Sequence, residues 1–242
     1  MKKSKQSPRL KIIMNALLFI LFIISIVLIF NDEFEDFLIH QNSEEYAVVE
    51  VTRQEIQENE NQHAIFDFDV IESVNSEDII KAQFNRNDLP LIGGIAVPSV
   101  KINLPIFKGL SNKNLLSGAG TLDPHQKMGE GNYALASHSL ENKELLFTPL
   151  EKVQEDDLIY LTDLENIYTY KIDFKKIVKP TDIHYLDVSP MKKQVTLVTC
   201  GDPEGKTRII VQGQLETITP IQEATEEQLR AFEMEQKIYD KE

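Results

Sequence analysis

The chain's one cysteine, Cys200, closes a run of alternating apolar and β-branched residues, Thr196-Leu197-Val198-Thr199-Cys200. A thiol where a strand gives way to a loop can act as a nucleophile. It needs a neighbouring base or cation, because only the thiolate attacks and the ordinary pKa is about 8.5. Gly201-Asp202-Pro203-Glu204-Gly205 is a set of turn formers that breaks the strand, which predicts Cys200 at a strand edge. Arg208-Ile209-Ile210-Val211-Gln212-Gly213 then reads as a returning strand, with Arg208 beside the thiol. His138 terminates a second strand-like run, Gly131 to Ser137. Of the other histidines, His40 and His63 fall in an acidic N-terminal region, while His125 and His184 sit in polar loop text. If the strands leading to His138 and Cys200 are neighbours, the three side chains supply a nucleophile, a proton carrier and a donor for a developing oxyanion, the parts acyl transfer needs. Each has a plainer reading alone: a buried inert thiol, a structural histidine, a surface arginine in an ion pair. Their joint placement at strand ends favours chemistry.

The elements that must position them are mostly short and β-rich. Runs at Gly94–Val97, Val100–Ile106, Tyr133–Ser137, Leu158–Thr162, Ile167–Val178, Val195–Thr199 and Arg208–Leu215 are separated by turn signals, the pattern of a barrel or sandwich. Short helices are predicted at Asn112–Ser117 and Leu140–Phe147, and no repeat period recurs.

Outside this region the composition changes. The first thirty residues hold five cations and no acid, which leaves 20 basic against 39 acidic residues beyond them. Such a surface excludes nucleic acid as a partner, since phosphate contacts need clustered Lys and Arg. Residues 12–30 carry no charge and match the length of a bilayer-spanning helix. With cations before it and Asp32, Glu33, Glu35 and Asp36 after it, the positive-inside rule predicts a single-pass signal anchor in the cell membrane, N-terminus cytoplasmic and the rest extracytoplasmic. A cleaved signal peptide would have a shorter apolar region and a small-residue cleavage site. The predicted organisation is a tail (1–11), an anchor (12–30), an acidic stalk (31–88) with a helix at Ser76–Gln83, a catalytic domain (89–217) and a charged helical tail (218–242) that is solvated or loosely docked. In that tail Thr225 and Gln228 form a capping box.

The sequence resembles the sortase family of Gram-positive bacteria. The run Thr196 to Cys200 is similar to the Thr-Leu-x-Thr-Cys signature of that family, and Arg208 follows at a fitting distance. Asn132 to His138 resembles its catalytic-histidine strand, Gly118-Ala119-Gly120-Thr121 the segment before it, and Leu146-Phe147-Thr148-Pro149-Leu150 the turn after it. The resemblance covers roughly Leu89 to Leu215 and is most like class A, the housekeeping type. It implies a mainly β fold, the eight-stranded sortase barrel, and a membrane-bound cysteine transpeptidase with catalytic His138, Cys200 and Arg208. Ala136, Ser137 and Thr199 flank these and are expected at the peptide groove. The implied substrates are surface proteins bearing LPXTG-type sorting signals, cleaved between Thr and Gly and passed through a thioester to an amine of the peptidoglycan precursor lipid II. No cofactor is required by this reading. Some class A members bind calcium through acids before the histidine strand; here Gln126 stands between Asp123 and Glu130, and no metal site is predicted. Ser139 stands where many relatives have a second histidine. The competing expectations are another extracytoplasmic thiol hydrolase, and an anchored binding module whose cysteine fills a core.

Overall fold

The computed structural model describes residues 14–15, 17–19, 22, 52–66, 89–140, 144–187, 192–202 and 204–234. Eight strands are stitched into a closed barrel: β1 (Leu91–Val97), β2 (Ile102–Phe107), β3 (Ala119–Thr121), β4 (Asn132–Ala136), β5 (Leu158–Thr162), β6 (Asn166–Val178), β7 (Gln194–Cys200) and β8 (Arg208–Pro220). Around the barrel they run in the order β1-β2-β3-β4-β7-β8-β6-β5, and β5 pairs back onto β1. Closure leaves no strand edge unpaired along the ring, which a sandwich would have done.

Alternation along each strand fills the interior. Ile95, Ile106, Leu135, Leu161, Tyr170, Leu197 and Val211 belong to one buried cluster. Tyr170 is fully buried, and its phenolic oxygen accepts a hydrogen bond from Gly129 N at 2.9 Å, so the polar tip of this large side chain is satisfied. Short α2 (Asn112–Ser117), capped by Ser111, lies between β2 and β3 as the sequence predicts. β3 itself was not among the predicted runs, because three residues with a central glycine carry too little pattern. Gly120 pairs with Ala136 of β4, and a Cβ there would strike the Gly109 carbonyl, so the glycine permits a close backbone approach next to the histidine strand.

Two boundaries differ from the expectation. The stalk reading of 31–88 does not hold for its described part: α1 (Arg53–Glu60) docks on the barrel with Ile56 fully buried in the main cluster. Asn59 Nδ2 donates to Leu91 O at 2.9 Å, Arg53 Nε pairs with Glu165 at 3.2 Å, and Leu110 N donates to Ile65 O at 2.7 Å. A nearly polar helix hides its one useful apolar residue from a periodicity argument, which is why the docking is not legible. At the other end, β8 continues to Pro220, past the expected boundary at 217, and α3 (Glu226–Phe232) is docked, the second of its two expected states. Ala231 is buried against Ala96, Tyr160 and Ile167, and Gln228 Nε2 donates to Thr169 Oγ1 at 3.1 Å. The Thr225–Gln228 capping box forms as predicted.

The expected helix at Leu140–Phe147 is not seen: residues 144–147 are turns leading into a 3-10 segment, Thr148–Lys152, while 141–143 lie outside the described residues. Leu146 adopts φ 52°, which ends any helical run there. The expected Ser76–Gln83 helix and most of 12–30 also lie outside the described residues. Among the described residues no helix is long and apolar enough to cross a membrane. Within the N-terminal unit, residues 1–35, Leu17, Leu18, Phe19 and Phe22 are helical and exposed.

Replacing Ile56 with alanine is expected to destabilise the fold by about 2–5 kcal/mol, the range for truncating a fully buried isoleucine. The urea unfolding midpoint measures it. A change no larger than that of an exposed substitution would return α1 to the stalk.

Candidate active site

Backbone pairing alone brings the three candidate residues together. β4 runs parallel to β7 with Ala134 level with Thr196 and Ala136 level with Val198, and Ser137 N continues the ladder by donating to Val198 O at 3.2 Å. Continued past the end of β4 at Ala136, the same register sets His138 level with Cys200. On the other side β7 is antiparallel to β8, and Cys200 is the direct partner of Arg208. Gly201 N donates to Thr207 O at 3.0 Å, which makes Cys200 and Arg208 a non-hydrogen-bonded pair, the closer kind, with Cα atoms about 4.5 Å apart.

Alternation puts all three on one face. Tyr133, Leu135, Val195, Leu197, Ile209 and Val211 point into the barrel. The intervening Ala136, Val198 and Ile210 form a separate cluster on the outer face with Leu110, Leu115 and Val178. His138, Cys200 and Arg208 share the parity of that outer set. They form a row at its end, next to an apolar floor.

Second contacts fix the row. Thr199 Oγ1 donates to Ser137 O at 2.8 Å, tying the residues before Cys200 and His138 to each other. The Ser137 hydroxyl donates to Gly118 O at 2.6 Å, and Phe147 N donates to His138 O at 3.3 Å. Of the expected groove residues, Ala136 thus lies on the outer face, whereas the hydroxyls of Ser137 and Thr199 are engaged with backbone carbonyls. Arg208 Nη1 donates to Gly205 O at 2.8 Å and Thr207 O at 3.0 Å, so the β7–β8 loop holds the guanidinium beside the thiol. Asp202 organises the same loop by accepting from Lys206 N at 2.9 Å and from the Thr207 hydroxyl. Gln126, in the loop before β4, donates to Ala134 O at 2.9 Å and accepts from Ala134 N at 3.2 Å, extending the sheet edge with a side-chain amide.

Burial sets the protonation states. His138 is 4% exposed, and desolvation pushes its pKa down to about 4. Among the described residues its buried Nε2 has no hydrogen-bond partner. Burial pushes the half-buried Cys200 thiol up; Arg208 draws it down and Asp202 pushes it up again. Histidine below and cysteine above their usual values means an uncharged pair at neutral pH, with the thiolate–imidazolium form a minority. This agrees with the strand-edge position of Cys200, which has no helix N-terminus to favour a thiolate.

Such a row can support nucleophilic attack by a thiol, proton transfer by an imidazole and stabilisation of an oxyanion, all on one face of a closed β-barrel. Fold and site define a cysteine-dependent acyl-transfer barrel. Residues 95–216 match the sortase domain family model. The chain is 41% identical to sortase A of Streptococcus agalactiae over 221 residues, covering 89% of this chain and 90% of that one. It is 36% identical to sortase A of Listeria monocytogenes over 198 residues, 81% and 89% of the two chains. The crystal structure of Listeria monocytogenes sortase A superposes with a TM-score of 0.55 at 41% identity, covering 59% of this chain and 97% of that one. The chain belongs to the sortase family of cysteine transpeptidases, in its class A.

The sequence reading missed the polar residues Asn132 and Gln212 on the outer face, which reach the β6–β7 connection. Their signal was a polar residue at an outward position of an otherwise apolar strand.

The alkylation rate of Cys200 is expected to rise in a single step above pH 8.5 or so, the ordinary thiol value. Asp202→Asn should move the step down and Arg208→Ala should move it up, following the sign of each charge. Iodoacetamide kinetics across pH 5–10 measure this; a rate already on its plateau at pH 6 is the contrary result. Stability gives a second reading. Because His138 binds its proton more weakly folded than unfolded, folding stability should fall as pH drops from about 6.5 towards about 4. His138→Gln should flatten that part of the urea-midpoint curve.

Proposed function

We propose that this protein cleaves sorting signals of the LPXTG type between Thr and Gly and joins the threonyl carbonyl to an amine of a peptidoglycan precursor, the lipid II stem. The observation that carries this is the register that sets His138, Cys200 and Arg208 in one row beside an apolar floor. The class A relatives support the same substrate class.

In this mechanism the Cys200 thiolate attacks the threonyl carbonyl carbon. Arg208 holds the resulting oxyanion or the peptide carbonyl next to it. The carbon–nitrogen bond breaks as the His138 imidazolium gives its proton to the leaving glycine amine, and a thioester remains. The incoming amine then attacks the thioester, loses a proton to His138 and expels the thiolate, so the site returns to its starting protonation. A bound amine outcompetes water because it is the better nucleophile and is held in place. The buried Ala136, Val198 and Ile210 cluster backs the row of His138, Cys200 and Arg208 from the next positions along the three strands.

The reading includes a membrane anchor at residues 12–30, with the N-terminus cytoplasmic and the barrel outside. It is supported by nineteen consecutive uncharged residues flanked by cations on one side and acids on the other.

Mass spectrometry of the protein after incubation with a sorting-signal peptide is expected to show Cys200 carrying the acyl fragment that ends in Thr, discharged by an added amine. Release of free acid at the same rate with and without amine would instead indicate a plain hydrolase. Cys200→Ala should abolish both steps while the fold persists. Arg208→Lys should recover little activity, since an ammonium cannot reproduce the planar fork of a guanidinium. Near wild-type turnover in the lysine variant would leave Arg208 a purely electrostatic role.

A further inference from the structure

Two rows along the outer face from Cys200, the side chains turn polar and form a closed set of hydrogen bonds. The Thr196 hydroxyl of β7 donates to Asn132 Oδ1 of β4 at 2.6 Å, and Gln212 Nε2 of β8 donates to Thr196 Oγ1 at 3.0 Å. Both amides then reach one backbone oxygen outside the barrel. Asn132 Nδ2 and Gln212 Nε2 each donate to the Tyr185 carbonyl at 3.0 Å, and Asn132 Nδ2 lies 3.4 Å from Asp187 O. The carbonyl has two lone pairs, and both are used. A reversed Asn132 amide would set its oxygen against that of Tyr185, so the arrangement has one orientation.

The segment so held is the 3-10 turn Ile183–Leu186 between β6 and β7. Its Tyr185 and Leu186 pack on the Ala136, Val198 and Ile210 cluster, the apolar row that lies between this network and the catalytic row. Phe174 stacks on Tyr185 with ring centroids 5.4 Å apart. The barrel does not need this network to stand, since β4, β7 and β8 are joined by their backbone ladders and filled from within. What the network fixes is the wall beside the floor.

We propose that Asn132, Thr196 and Gln212 are positioning residues, a polar clamp that presets Tyr185 and Leu186 as one wall of the peptide groove. The proposal rests on the transpeptidase reading above and adds to it. A wall ordered before the peptide arrives removes an entropic cost from binding and leaves the chemical step alone.

The test uses Gln212→Met, which keeps the size and removes the donors, and Gln212→Glu, which keeps the shape and sets a carboxylate against the Tyr185 carbonyl. With an LPXTG-type peptide, KM is expected to rise about fivefold to tenfold, more for Glu than for Met, with kcat within about twofold of wild type. Backbone amide exchange at Leu186 and Asp187 should accelerate in the free variants and return to wild-type protection under saturating peptide. The pH profile of Cys200 alkylation should not move. Unchanged exchange, accelerated exchange with unchanged KM, or a fall in kcat at constant KM would each overturn the clamp. Should either glutamine variant fail to fold, Thr196→Val breaks the same chain with little change in volume, and the same outcomes apply. Exchange needs no substrate, so a wild-type protein that ignores the peptide would overturn the transpeptidase reading while the clamp was still tested.

Discussion

The parallel pairing of β4 with β7 is the constraint on which everything else depends. Consecutive strands of a meander pair antiparallel, but β7 is inserted between β4 and β8, and that crossover is what brings His138 to the level of Cys200. The period of a strand is two, so a slip of one residue would turn His138 towards the barrel interior and Leu135 out of it. The register is held from both sides. Inward-facing Tyr133, Leu135, Val195 and Leu197 specify it hydrophobically, and the Thr199 hydroxyl bonded to the Ser137 carbonyl locks the last step before the catalytic row.

The same outer face is divided into three rows with different physical tasks. At the open end stand the titratable groups, next to them an apolar row, and beyond that the polar clamp. Stacked on the same three strands, each row inherits its position from the ladder and needs no loop to place it. Sites built on regular elements are positioned more tightly than sites built on loops. Two groups also lean on loops: His138 follows the end of β4, its carbonyl accepting from Phe147 N, and Arg208 is held through the carbonyls of Gly205 and Thr207, in a loop that Asp202 stiffens by hydrogen bonding.

Much of this was legible in the sequence because it depends on local pattern. Strand β5 was read with its observed limits, and β7 and β8 were located by β-branched alternation, with the start of β8 correct and the end of β7 one residue short. The residue types of the proposed catalytic row were read from the sequence, as was Arg208 beside Cys200 across the β7–β8 turn; the meeting of His138 and Cys200 stood only as a condition, since no local signal says that β4 and β7 are neighbours. The elements misread were those whose meaning is tertiary. Helix α1 carries a single buried apolar residue, Ile56, and α3 docks through Ala231 and the polar Gln228, so neither shows an apolar stripe. Ser137 and Thr199 looked like groove residues by adjacency. Their hydroxyls donate to the carbonyls of Gly118 and Ser137, contacts that adjacency in sequence does not reveal.

An uncharged cysteine–histidine pair at rest looks wasteful for a nucleophilic enzyme, yet the chain's composition gives it a rationale. With one cysteine there is no second thiol in the chain to resolve an oxidised one. Oxidation, like alkylation, proceeds through the thiolate. A thiol kept protonated by burial, against the pull of Arg208, is a slow target for both. The reactive form appears only as a minor population, in which proton transfer to His138 creates thiolate and imidazolium together. A bound peptide carbonyl can draw on that population as fast as it equilibrates. In the proposed mechanism burial of His138 therefore does two things: it lowers the resting reactivity of Cys200, and it makes the imidazolium a strong acid, ready to release its proton to the departing amine.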